Sequence, residues 1–226
     1  YLLRGRPRVM WQDTECRFFI GLFGVFTLVT VASVYGVTYH SLGTSLQYAA
    51  FQVASILTTT GFATADFEKW PPLPQCILLM CMFIGGSAGS TGGGIKVLRL
   101  VLLMRHAYQE IFRLIHPRAI VRVKLGGQVV SPEIMNSIWG FFLLWLVLLF
   151  ISVFLVAATG VDVLTSFTAV LASIGNIGPG LGSVGPAENY ALLPGAAKYV
   201  LMLCMLLGRL EIFTVLVLFV PEFYRN

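Results

Sequence analysis

Charge is scarce in this sequence, and its distribution is informative. Asp, Glu, Lys and Arg make up 11% of the 226 residues, and none falls within 18–65, 70–95, 134–161 or 163–187. Soluble domains carry about 25% charge, and apolar runs of about 18 residues or more are candidate membrane spans. A soluble globular fold is therefore excluded, and an integral membrane protein is predicted. Cysteine and histidine are sparse too. Cys16, Cys76, Cys81 and Cys204 form no Cys-x-x-Cys pair, and His40, His106 and His116 lie far from them at no ligand spacing. Neither a metal centre nor a disulfide is expected. No signal peptide is expected either, because the basic opening YLLRGRPR leads to no cleavage-like tripeptide. No catalytic triad or pair of acids in a cleft is legible, so the chain does not read as an enzyme.

The charges that are present follow a rule. Arg4, Arg6, Arg8 and Arg17 precede the first apolar run, and Lys96, Arg99, Arg105, Arg113, Arg118, Arg122 and Lys124 fill the middle of the chain. Arg225 ends it, whereas the other loops hold only Lys69 and Lys198. This is the positive-inside pattern, with both termini and the middle linker on the cytoplasmic side. It accounts for the net charge of +5 without a nucleic-acid partner.

Long and short uncharged segments alternate twice. A full span at 18–39 is followed by a half-span at 45–57, three prolines and a second span starting near Cys76. A full span at 138–158, a half-span ending in glycines and a last span at 199–220 repeat the order. VASI at 53–56 matches LASI at 171–174, and Thr60-Gly61 matches Ile177-Gly178 after a one-residue gap. LLMCMFIG at 78–85 matches LMLCMLLG at 201–208. The fold class expected is all-α: tandem helix–re-entrant pore helix–helix units of the potassium-channel type. The expected divisions are 1–116 and 135–226 for the two units and 117–134 for a small linker hairpin. Val121, Val123 and Leu125, a Gly126-Gly127 turn, then Val129 and Val130 supply that hairpin.

A re-entrant segment cannot face lipid, because its peptide groups would go unpaired; it survives inside protein or along a watery path. The half-spans end in Thr59-Thr60-Gly61-Phe62 and Asn176-Ile177-Gly178-Pro179. Stacked backbone carbonyls replace the water shell of a monovalent cation, and the negative C-terminal ends of the half-helices favour one. Neither segment carries an acid, which argues against a carboxylate ring of the calcium type.

CMFIGGSAGSTGGGIKVLRL, 81–100, has the glycines and lysine of a phosphate loop, but Ile95 separates Gly94 from Lys96 and Val97 stands where a hydroxyl belongs. It reads instead as a broken helix at membrane depth, the kind that lines a permeation path. The break covers Gly85, Gly86, Ser87, Gly89, Ser90, Thr91, Gly92, Gly93 and Gly94, and a helix is expected to resume at 95–114. Arg209 in the last span costs about 2.5–3.5 kcal/mol near mid-bilayer. It is therefore placed below the half-helices, at the loop, as a barrier to cations or an anchor for the closed loop. A nucleotide-coupled protein using the glycine loop and a scaffold half with no pore of its own are the competing readings.

Taken in order, TTTGF, GGSAGSTGGGIKVLRL, NIGPGLG and GRLEIFT resemble the Trk/Ktr/HKT superfamily of potassium transporters, above all its bacterial TrkH/TrkG membrane subunits. Members of that superfamily fold four such units around one pore, and this sequence is similar to the third and fourth. The resemblance implies potassium uptake at the bacterial inner membrane, with potassium ion held by carbonyls of Thr59, Thr60, Asn176 and Ile177. Gly61 and Gly178 become selectivity glycines, with Phe62 and Pro179 beside them, and 85–94 becomes the gate. It also implies a homodimer and a cytoplasmic nucleotide-binding regulatory subunit of the TrkA type. Two units supply half a carbonyl ring, so a chain lacking the first two units is expected rather than a pore of two copies. With half of the ring unseen, mixed sodium and potassium transport stays open.

Overall fold

The computed structural model describes residues 13–90, 92–117, 123–126, 128–210, 212–218 and 221–224. Two helix–half-helix–helix units pack side by side. In the first, α1 (Thr14–Val34), α2 (Leu42–Leu57) and α3 (Pro72–Phe83) are followed by β1 (Ile84–Gly85), β2 (Ile95–Lys96) and α4 (Val97–Ile115). A two-stranded hairpin, β3 (Lys124–Leu125) with β4 (Gln128–Val129), leads to α5 (Pro132–Ala157), α6 (Val163–Gly175), α7 (Gly195–Arg209) and α8 (Ile212–Val217). Helices α1 and α5 are long and apolar enough to cross a membrane.

Local chemistry sets the helix ends. Asp13 caps α1 through the Glu15 amide, and Asp162 caps α6 through the Thr165 amide. Pro71 and Pro194 stand at the equivalent starts of α3 and α7. The core sits between the units. Every residue of α6 from Thr168 to Gly175 is buried, as are Val53, Ile56 and Leu57 of α2. A helix buried all round lies inside protein rather than against lipid. Trp145 of α5 packs beside Phe83 of α3, ring centres 5.6 Å apart, which ties the second unit to the first.

Four expectations need correction. The first span lies at Thr14–Val34 rather than 18–39. The last one is not continuous from 199 to 220: α7 ends at Arg209 and the short α8 follows. Two contacts from α6 and its C-terminal turn lie against the last turns of α7: the Asn176 side chain donates to the Met205 carbonyl at 3.2 Å, and Gly208 abuts the Ile174 carbonyl. Third, the helix after the glycine loop resumes at Val97, because Ile84–Gly85 and Ile95–Lys96 pair as parallel strands. Fourth, the half-helices align without a gap. Thr59 and Thr60 donate to Ile56 and Ser55, as Asn176 and Ile177 donate to Ser173 and Ala172. VASI and LASI are therefore one residue out of structural register; shared apolar letters outvoted backbone geometry. The hairpin forms where expected, with Lys124 opposite Val129, though Val121, Arg122 and Gly127 lie outside the described residues.

Candidate functional site

The site is built from the C-terminal turns of the two half-helices and the loop between β1 and β2. After α2, Thr59 adopts a left-handed conformation at φ 55°, and after α6 Asn176 does so at φ 54°. A non-glycine residue at positive φ is uncommon. That it occurs at matching points of both units marks the turn as a built feature. It reverses the chain so that Thr60 and Ile177 bond back to their own helices, and the following backbone continues as an irregular, glycine-containing strip.

The two strips adjoin. A Cβ added at Gly61 would strike the Ile177 carbonyl and come within 3.2 Å of Pro179 Cδ. With φ +79° as well, this position admits glycine alone. Polar side chains brace the strips from behind. Ser55 Oγ donates to the Phe62 carbonyl at 2.6 Å, and Thr58 and Thr60 hydroxyls lie 2.8 Å apart. Thr168 Oγ1 donates to the Leu181 carbonyl at 2.9 Å and accepts from the Leu181 amide at 3.0 Å. The Tyr190 phenol donates to the Gly178 carbonyl at 2.6 Å. Burial pushes that phenol up to about 12, so it remains a donor throughout the physiological range.

The glycine loop lies against the C-terminal ends of both half-helices. Gly93 donates its amide to the Gly175 carbonyl at 3.1 Å, and a Cβ there would collide with the Ile174 carbonyl. Gly92 faces the Thr59 hydroxyl. Ser87 accepts the Ser90 amide at 2.8 Å within the loop, and Gly85 and Gly86 are buried at its root. On the other side, Ser90, Gly92 and Gly94 line a cavity of about 100 Å³ with Lys96, Arg99 and Arg209. Arg209 therefore stands at the loop, and Arg99 lies over the Phe141 ring at 3.9 Å. Thr91, part of the expected gate, is outside the described residues. Among the described residues no cluster of three His, Cys, Asp or Glu side chains is placed to hold a metal.

Several participants carry no sequence signal. Glu68, in the turn after the first strip, crosses to the second unit and accepts the Gly182 amide, against Gly185. Tyr190 and Ser55 are ordinary letters in ordinary contexts. Glu15, at the start of α1, reaches the tip of the glycine loop, 73 residues away in sequence. Only chain reversal brings these groups together, so spacing offers no cue.

Two short helices packed among the helices of their own units, each turning onto a glycine strip that meets its counterpart, define a membrane protein of the helix–pore helix–helix class. Known proteins place the chain further. A family model described as "TrkH: Cation transport protein" matches residues 8–224, and this chain belongs to that family. It is 44% identical across its full length to the Trk system potassium uptake protein TrkH of Salmonella typhimurium, covering 47% of that protein. It is 38% identical to TrkG of Escherichia coli over 95% of its own length and 44% of that protein's. The crystal structure of the potassium transporter TrkH from Vibrio parahaemolyticus superposes with a TM-score of 0.90 at 41% identity, over 96% of this chain and 46% of that one. The chain spans about half the length of the curated relatives it matches.

Proposed function

We propose that this chain contributes two of the pore-forming units of a potassium uptake protein, without covalent chemistry. The observation that carries the proposal is the meeting of the Gly61 and Ile177 backbones between two half-helices that turn their C-terminal ends on them. In this reading the carbonyls of Thr59, Thr60, Asn176 and Ile177 replace the hydration shell of K+, and those of Gly61, Phe62, Gly178 and Pro179 continue the row. A full negative charge would bind the ion too tightly to release it; peptide oxygens at the negative ends of two helices hold it weakly enough to pass on.

The loop at 85–94 is the gate. Its backbone lies against the C-terminal ends of both half-helices, and in this reading an ion leaving the strips meets it. Arg209 repels the cation until the loop withdraws. The relatives named as potassium uptake proteins support the reading of the chain as part of a potassium uptake protein. The same reading places the chain in a bacterial inner membrane with both termini and the hairpin in the cytoplasm. There the basic linker docks a nucleotide-binding regulatory subunit of the TrkA type onto a homodimer.

Rubidium uptake into liposomes tests it. Protein carrying the remaining pore units alongside this chain is expected to take up the ion, with potassium competing better than sodium, and Gly61→Ala to abolish uptake. Uptake insensitive to Gly61→Ala would overturn the filter assignment.

A further inference from the structure

Among the described residues, the glycine loop is held at its tip as well as at the ends of the half-helices. At its tip, Ala88 uses both of its backbone polar groups. Its amide donates to Glu15 Oε1 at 2.6 Å, and its carbonyl accepts from Lys96 Nζ at 3.2 Å. Glu15 is the second residue of α1 and Lys96 is the last residue before α4, so side chains at the starts of two helices grip one residue. A hydrogen bond with an ionised partner is short and about twice as strong as a neutral one. The Ala88 side chain is exposed and takes no part, and the loop's other end rests on Gly93 and the Gly175 carbonyl. Withdrawal of the loop must break the grip at Ala88.

We infer that Glu15 and Lys96 form a latch that positions the tip of the gating loop, and that release of Glu15 from the Ala88 amide is a step in opening. The inference rests on the transport reading above for its consequence, though not for its geometry. Glu15 touches no permeating ion; it acts through the loop. The position of Lys96 couples the latch to the cytoplasmic face. Helix α4 begins one residue after Lys96 and carries Arg105, whose guanidinium donates to the Lys124 carbonyl at the base of the hairpin. A pull on the hairpin is thereby delivered along one rigid helix to the lysine at the loop.

The test is thiol labelling of an Ala88→Cys variant from the cytoplasmic side, beside rubidium uptake, both in the pore-complete protein. Variants lacking Ala88→Cys provide the background from the native cysteines. With Glu15→Ala the Ala88→Cys thiol is expected to label about tenfold faster and rubidium to enter about tenfold faster, the factor set by losing one charged hydrogen bond. The preference for potassium over sodium stays unchanged, a separation that general damage to the fold would not produce. Glu15→Gln, which keeps an acceptor oxygen, restores most of the original behaviour. Lys96→Met moves both readouts the same way and serves as the deciding variant should Glu15→Ala fail to fold. Labelling and uptake within twofold of the parent in both Glu15→Ala and Lys96→Met would overturn the latch. If the parent itself moves no rubidium, the transport reading fails, while the labelling rates still decide the latch.

Discussion

At Gly61 a single hydrogen in place of a methyl group decides whether two backbones meet. Its φ of +79° lies where an L side chain is strained, and the Ile177 carbonyl fills the space a Cβ would take. Strain of this kind costs about 1–3 kcal/mol before any clash is counted. Gly61→Ala is therefore expected to lower rubidium uptake by at least about tenfold with the protein still inserted, measured as flux per molecule in proteoliposomes. Tyr190 works more gently. Its phenol fixes the Gly178 carbonyl at 2.6 Å, in a residue whose own φ is +117°. One neutral hydrogen bond is worth about 1 kcal/mol net, so Tyr190→Phe is expected to raise the half-saturating rubidium concentration roughly fivefold while leaving expression unchanged.

The half-helices carry the burden at the scale of elements. Helix α6 is short, 13 residues, and buried on every side over its second half, so its direction is fixed by its ends and its packing. Asp162 holds the outer end through the Thr165 amide, and that bond keeps its carboxyl below the ordinary carboxylate range. A depressed folded-state value means the cap stabilises the fold at neutral pH and above. The contribution fades as pH falls through the lowered value, once the carboxylate is protonated. Asp162→Ala is expected to cost about 1 kcal/mol at neutral pH. The gap from the parent should shrink in strongly acidic buffer, followed by thermal unfolding in detergent. A gap that widens on acidification would contradict this account of the cap. Within α6, Leu171 is fully buried, and Leu171→Ala is expected to cost about 2–5 kcal/mol by opening a cavity between the units. The glycine loop differs in kind from these helices. Its strand ends run parallel rather than doubling back, so the chain keeps its direction while residues between them detour to the C-terminal ends of the half-helices.

For the molecule as a whole, the units are joined by polar clasps as much as by the apolar core. Glu68 reaches from the first unit to the Gly182 amide of the second, and Gly93 from the first to the Gly175 carbonyl of the second. Glu68→Ala leaves a part-buried amide unpaired, a loss of about 1–3 kcal/mol. It should lower the unfolding temperature of the assembled protein and loosen the meeting of the strips, which a fall in potassium-over-sodium preference would report. An unchanged melting point and preference would show that the clasp is idle.

The sequence alone determined the membrane class, the alternation of longer and shorter uncharged segments and the break at the glycine loop. Those properties follow from local composition: long uncharged runs, prolines at helix starts, and glycines where a helix cannot continue. It also located both glycine strips, because their letters sit at the ends of segments too short to span. Folding decided the rest. The register of the half-helices escaped the sequence because apolar letters are interchangeable there and only the turns at Thr59 and Asn176 fix it. The end of α7 at Arg209 escaped because apolar letters run on both sides of it, so composition shows no break there. Glu15, Glu68 and Tyr190 gained their roles from partners far along the chain, and a contact between distant residues leaves no periodic trace in either of them.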